Sequence, residues 1–196
     1  MNKVNRNRLE NVMIYFAKNT LVCGKVKLFK LLYLLDFEHF TLTGKSVTGL
    51  EYHAWELGPV PIELAEAWEE FSSNFGNKLF IEVERVISYD RQAVKVVQGV
   101  EFDDIDFTPR QLQMMSKLVE KYHETASPAL IDVTHEQNGA WHRAWTSENG
   151  KYQAIPYDFS LSDPASELAQ QVTSIAQEDS MYFAALEDSR LKQCIH

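Results

Sequence analysis

Two cysteines, six prolines and eight glycines among 196 residues leave little material for several familiar architectures. Cys23 and Cys194 stand far apart and neither belongs to a CxxC pair, so no disulfide framework or zinc knuckle is expected, and a reducing, cytoplasmic setting is. The scarcity of Gly and Pro excludes collagen-like and low-complexity classes. No uninterrupted apolar run exceeds six residues, as at 12–17. A membrane span needs about 20 and a secretory signal core about 7 to 15, so neither is expected. Neither a repeat period nor a Ser/Gly/Pro linker divides the chain, which predicts one domain over residues 1–160 followed by a helical extension over 161–196.

Positive charge is also short: 19 Lys and Arg against 28 Asp and Glu, a net charge of −9. Residues 1–30 carry +6, 31–106 carry −10, 107–160 carry −1 and 161–196 carry −4. Nucleic acid is bound through clustered Lys and Arg, so this chain is a poor candidate for that class, and a basic protein is the better-matched partner.

What is present suffices for a core, with 45% hydrophobic and 12% aromatic residues. Leu9, Val12, Met13 and Phe16 recur at helical spacing and predict a helix over about 6–18. A second helix over 25–40 is apolar around most of its circumference, as a central helix is, and Gly44 follows its end. Tyr52-His53-Ala54-Trp55 reads as a strand, and Gly58-Pro59-Val60-Pro61 as the launch of a third helix near Pro61 with Leu64, Trp68, Phe71 and Phe75 on its buried face. Alternation over 79–97, with turn residues at 88–92, predicts a β-hairpin. Thr108-Pro109 with Gln111 spells a capping box, and Ser127-Pro128 repeats the cap-and-proline device ahead of a short helix over 129–135. Asp163-Pro164 opens a C-terminal helix carrying Leu168, Val172 and Ile175. The predicted class is α+β, mostly α: a compact helical domain with a small antiparallel hairpin or sheet.

Catalytic and ligand motifs are incomplete. Gly44-Lys45-Ser46 resembles the end of a phosphate loop, but His39 stands where the first glycine belongs and the preceding element is helical. His135-Glu136 begins a zinc-type HExxH, but Gly139 replaces the second histidine. Cys23, near Lys25 and Lys27, reads as a small buried hydrophobe rather than a nucleophile. Glu63, Glu66, Glu69 and Glu70 read as a solvated helix face. No metal, cofactor or catalytic set is predicted. Tyr33, Asp36, Phe37, Phe40, Tyr52 and Trp55 are open to two readings, core packing or a binding surface, since Tyr and Trp serve both.

Several blocks together resemble one family. Lys30-Leu31-Leu32-Tyr33-Leu34-Leu35-Asp36-Phe37-Glu38-His39, then Gly44 to Gly49, Tyr52 to Trp55 and Gly58 to Pro61, are similar to the Panacea-domain antitoxins, the SocA-like and phage-associated GepA-like proteins. Thr134-His135-Glu136 with Ala140-Trp141 resembles the family's late segment, and the likeness covers about residues 8–145. The resemblance implies a mostly helical α+β domain, bacterial or phage-borne, that neutralises a cognate protein toxin by direct contact, in some members handing the toxin to a protease. It implies no cofactor. No helix-turn-helix is legible, so repression of its own operon through DNA is not expected. The toxin-contact residues expected on this basis are Tyr33, Asp36, His39, Tyr52 and Trp55, with Gly58, Pro59, Pro61, His135 and Trp141 as structural motif and Asp36 and Glu38 facing basic groups. A second copy of the chain remains open as a partner. The competing classes are a small hydrolase or nucleotide-modifying enzyme using His39, His53, His135 and Glu136, and a non-catalytic accessory or scaffold protein.

Overall fold

The helix that is apolar all round in the sequence is the axis of the structure. The computed structural model describes residues 3–86 and 89–193. α1 (Lys3–Asn19) buries Leu9, Val12, Met13, Ile14 and Phe16. It packs against α2 (Lys25–Thr43), in which twelve of nineteen residues are buried, including the polar Lys27, Lys30, Asp36 and His39. Each fully buried Leu or Phe stabilises the fold by about 1.5–3 kcal/mol, so α2 is the largest contributor of any element. It stops at Gly44, whose left-handed φ of 73° lets its N–H reach the carbonyl of Phe40 at 2.8 Å.

β1 (Tyr52–Trp55) and β2 (Gly58–Pro61) form an antiparallel hairpin in which Tyr52 faces Pro61 and Trp55 faces Gly58, leaving Glu56 and Leu57 as the two-residue turn. The Gly-Pro-Val-Pro tetrapeptide is therefore a strand, and the helix it is expected to launch starts one residue later. Proline is compatible with an edge strand because the missing N–H faces away from the ladder. The opposite edge of β1 is covered by residues 152–155: Tyr152 N–H donates to Ala54 O at 2.8 Å, Ala54 N–H to Gln153 O at 2.9 Å and Ile155 N–H to Tyr52 O at 2.7 Å.

The single helix predicted beyond Pro61 is broken into α3 (Ile62–Glu66) and α4 (Phe71–Phe75). Glu63, Glu66, Glu69 and Glu70 would repel one another at spacings of three and four along a continuous helix. Leu64, Trp68, Phe71 and Phe75 are buried nonetheless, with Trp68 edge-on to Phe29 at 5.3 Å and its Nε1 donating to Gln92 Oε1 at 2.8 Å. β3 (Leu79–Val86) and β4 (Tyr89–Val96) make the second antiparallel hairpin. Residues 89–92, expected in the turn, belong to β4, and Ser88 lies outside the described residues.

α5 (Pro109–Tyr122) carries the expected capping box: Gln111 N–H donates to Thr108 Oγ1 at 3.3 Å and Thr108 N–H to Gln111 Oε1 at 2.9 Å. α6 (Ser127–Thr134) starts earlier than expected, with Ser127 inside the helix and Ala126 at the cap, so no side chain caps it. α7 (Ala140–Thr146) holds Trp141 and Trp145 and is too short to show a period in the sequence. After a 3-10 turn at Tyr157–Ser160, α8 (Glu167–Gln193) docks on the end of α2. Its seat is Ala169 and Val172 against Phe40 and Leu161, while Leu168 and Ile175 of the same helix are 55% and 39% exposed. Lys45, just past the end of α2, pairs with Asp179 at 2.7 Å. The assembled chain is α+β and mostly α, with two small two-stranded antiparallel sheets.

A methyl group at Gly44 would sit 2.5 Å from the Val172 carbonyl oxygen, on a residue already left-handed. Gly44→Ala is expected to cost about 1–2 kcal/mol for the backbone strain alone. The loss should appear as a lower Tm and as faster hydrogen exchange over 167–176, with α1 unaffected. Unchanged exchange there would mean that α8 does not rest on this glycine.

Candidate functional site

The side chain of Asp36 is fully enclosed in the middle of α2, and four donors surround it. Val47 N–H and Thr48 N–H donate to Oδ1 at 2.7 and 2.8 Å, while Thr48 Oγ1 and Tyr52 OH, the latter at 2.8 Å, donate to Oδ2. Burial pushes the Asp36 carboxyl up, and the four donors pull in the opposite direction. Tyr33, one turn earlier, is buried and its hydroxyl accepts from Trp141 N–H at 3.1 Å. Tyr33, Phe37, Tyr52 and Tyr157 close an aromatic box, with Phe37 stacked on Tyr157 at 4.4 Å and Tyr33 edge-on to Tyr52 at 5.6 Å. His39 is buried and lies with Nδ1 2.6 Å from Lys45 O; burial holds its imidazole below the usual range.

Four of the five expected contact residues, Tyr33, Asp36, His39 and Tyr52, thus point inward and present no surface. Their polar atoms are consumed in tying α2 to residues 45–48, to β1 and to the start of α7. Trp55 is the exception, at 44% exposure. Glu38, at the other polar position expected to face a basic partner, keeps an exposed surface, while partial desolvation of its carboxyl raises its pKa and Lys121 and Lys117 on α5 act against that.

A second polar tie holds β2. Lys30 is 2% exposed, and its Nζ donates to Pro59 O at 3.0 Å. Desolvation lowers its pKa to about 7. Gly58 sits against it with φ of +97°, and a Cβ there would lie 2.5 Å from Lys30 Nζ, 2.9 Å from Thr134 Oγ1 and 3.2 Å from His135 Nε2. Only a residue without a side chain lets the Lys30 amine reach this carbonyl, which explains the glycine of the Gly-Pro-Val-Pro block. His135 Nε2 is enclosed there without a hydrogen-bond partner among the described residues. Burial and the nearby Lys30 charge both lower the His135 pKa.

From His135 an aromatic ladder leads outward. Its ring stacks on Trp141 at 3.8 Å and 6°, and Trp141 stacks on Trp145 at 5.5 Å. Trp145 meets Tyr152 edge-on at 5.8 Å, and Tyr152 meets Trp55 at 6.2 Å. Trp141 Nε1 donates to Trp55 O at 2.9 Å, pinning the turn of the hairpin. The ladder ends at solvent in Trp55, Tyr152 at 54% exposure and Leu57 at 64%. Tyr152 has a φ of 62°, a region that bulky residues rarely occupy, so its ring is held at the surface against a local backbone cost. Leu57 and Tyr152 escape sequence reasoning because neither belongs to a periodic segment. The available cue is the Asn149-Gly150 turn, a breaker pair that brings residues 151 and 152 to the surface.

The histidines of the competing enzyme reading have separate local partners. His39 is bound to Lys45 O, His53 lies 2.8 Å from Glu51 Oε1 and 3.0 Å from Tyr152 O, and His135 is stacked on Trp141. Among the described residues no three His, Cys, Asp or Glu side chains converge as a metal site. Gly44-Lys45-Ser46 sits at a helix C-terminus, where carbonyls rather than N–H groups point outward, the wrong polarity for a phosphate. Cys23 is buried, and burial pushes its thiol up to about 12. A groove of about 710 Å³ between the start of α2, β4 and the α5–α6 connection contains none of the expected site residues.

The fold and this face define a mostly helical α+β domain that holds an aromatic hairpin out to solvent. Over residues 28–142 it matches the family described as antitoxin SocA-like, Panacea domain. That is more than half of the chain, which therefore belongs to the SocA-like, Panacea-domain antitoxin family. No curated protein and no solved structure matches it. No helix among the described residues is long and apolar enough to cross a membrane.

Lys30 makes a testable contribution to stability. Its amine loses its proton near pH 7 in the fold but near pH 10.4 in the unfolded chain. Between those values the unfolded chain holds the extra proton, so Lys30 makes stability rise with pH, by at most about 1.4 kcal/mol per unit. Urea denaturation at pH 7 and pH 9 should show this rise in the wild type and a flatter response in Lys30→Met. Equal slopes would mean that the amine titrates at its ordinary value.

Proposed function

We propose that the chain is the antitoxin of a two-gene toxin-antitoxin system and neutralises its cognate protein toxin by direct binding, without catalysis, in the cytoplasm. The observation that carries this reading is the exposed aromatic end of the ladder: Trp55 and Leu57 on a hairpin fixed by buried polar ties, with Tyr152 on the neighbouring segment and Trp145 behind them. Family membership supports the antitoxin role, and the face supports how it is exerted. Neutralisation by occlusion requires an interface of about 1,600 Å² with a few well-packed anchors, and rigid aromatic side chains are the residues that most often serve. Of the contact residues expected from the sequence, Trp55 stays in the proposed interface. Tyr33, Asp36, His39 and Tyr52 act beneath it, as do Gly58, Pro59, Pro61, His135 and Trp141. Residues 1–160 form the unit that carries the face, and α8 is an extension available for other contacts, including transfer of the toxin to a protease.

Co-expression with the adjacent reading frame tests this. The wild-type chain should restore growth and co-purify with the toxin as a stoichiometric complex. The double variant Trp55→Ala/Tyr152→Ala, with an unchanged far-ultraviolet spectrum and a Tm within a few degrees of wild type, should weaken the complex at least 100-fold and fail to rescue. Full rescue by this variant would place the interface elsewhere.

A further inference from the structure

The aromatic face has an acidic rim that no lysine or arginine of the described residues neutralises. Glu56 stands in the hairpin turn between Trp55 and Leu57, Glu51 lies at the foot of β1, and Glu148 lies in the turn that leads from α7 to Tyr152; all three are exposed. The ion-pair partner of the Glu51 carboxylate is His53, and none of Glu51, Glu56 and Glu148 has a Lys or Arg within 4.0 Å among the described residues. Elsewhere some acids have such a partner and many, Glu63, Glu66 and Glu120 among them, have none within 4.0 Å among the described residues. Glu10 meets Arg6 and Lys78, Glu84 meets Arg91 and Lys95, Glu101 meets Lys18, and Asp179 meets Lys45. The cation that the structure places at this face is Lys151, laid over the Trp145 ring at 5.0 Å, where it neutralises none of the three.

Three exposed carboxylates without a lysine or arginine partner, beside an apolar centre, form the pattern of an interface core with a charged rim, and the sign of the rim specifies the complement. Resting on the antitoxin reading above, we propose that this face docks on a basic protein surface: an apolar recess that receives Trp55, Leu57 and Tyr152, ringed by lysine and arginine side chains that meet Glu51, Glu56 and Glu148. The two parts of the face then have separable kinetic roles. Exposed rim charges act at a distance and govern how fast partners meet, while desolvated aromatic anchors govern how long they stay. A net charge of −9 adds to the same long-range attraction.

Surface plasmon resonance on the immobilised product of the adjacent reading frame, between about 50 and 500 mM NaCl, separates these roles. For the triple variant Glu51→Gln/Glu56→Gln/Glu148→Gln, checked for an unchanged melt, the association rate should fall about 10-fold at the lowest salt, and its salt dependence should flatten. Its dissociation rate should stay within twofold of wild type. Trp55→Ala should show the reverse, a dissociation rate at least 30-fold faster with association nearly unchanged. A triple variant that associates as fast as wild type with the same salt slope would overturn the basic-rim proposal alone. Failure of the wild-type chain to bind would remove the antitoxin reading and this proposal together.

Discussion

One buried carboxylate organises the part of the molecule that carries the proposed contact face. Taking an aspartate out of water costs several kcal/mol unless its oxygens are fully hydrogen-bonded, and Asp36 meets that condition with two backbone N–H groups and two hydroxyls. All four donors come from the stretch between α2 and the start of β1. A segment with few apolar residues of its own is thereby fixed to the central helix, and the start of the first hairpin is set to the position of a single side chain. Tyr33 extends the same arrangement by one turn, accepting from the first residues of α7. The polar atoms of α2 thus act as brackets within an otherwise apolar helix.

Lys30 completes the bracket from the second strand. With Asp36 holding the Tyr52 end of β1 and Lys30 holding Pro59 on β2, both strands are attached to α2, and Trp141 ties down the turn through its indole N–H. A hairpin held at three points loses little conformational freedom when a partner docks on it. That economy matters, since ordering costs of about 0.5–1.5 kcal/mol per side chain are what most often turn a large interface into a weak one. The positive φ of Tyr152 fits the same logic, because it commits a large ring to one outward direction before any partner arrives.

The helical skeleton is legible in the sequence because its signals are local. Apolar spacing marks α1 and α2, Gly44 marks a helix end, and Thr108 with Gln111 marks a helix start, each through one or two turns of chain. Which polar or aromatic residues face out is much less legible, and α2 shows why. On a helix buried around its whole circumference, periodicity no longer distinguishes a face, so Tyr33, Asp36 and His39 look like a polar edge although each is enclosed. Their partners lie on Val47, Thr48 and Tyr52, on Trp141 and on Lys45, and contacts to loops leave no pattern in composition. The same limit hides the break between α3 and α4, where repulsion among four glutamates competes with a correct apolar stripe. It also hides that α8 is seated on Ala169 and Val172 while Leu168 and Ile175 stay more exposed.

The division between frame and face bears on what family membership can specify. The matched stretch, residues 28–142, contains Lys30, Tyr33, Asp36, Tyr52, Gly58, His135 and Trp141, all of which work beneath the surface. Trp145, Glu148, Lys151 and Tyr152 lie beyond it and make up one side of the proposed contact face, while Trp55, Glu56 and Leu57 on the other side lie within it. A frame determined by buried polar ties tolerates little change, because removing any one partner leaves an unsatisfied donor or charge at a cost of about 1–3 kcal/mol. Residues on the face carry no such constraint: an exposed ring or carboxylate can be exchanged at small cost to stability. On the proposed function, partner choice is free to change on the face while the frame that presents it stays fixed, and what selects the toxin would be the turn at Glu56-Leu57 and the segment 145–152 rather than the residues that define the fold.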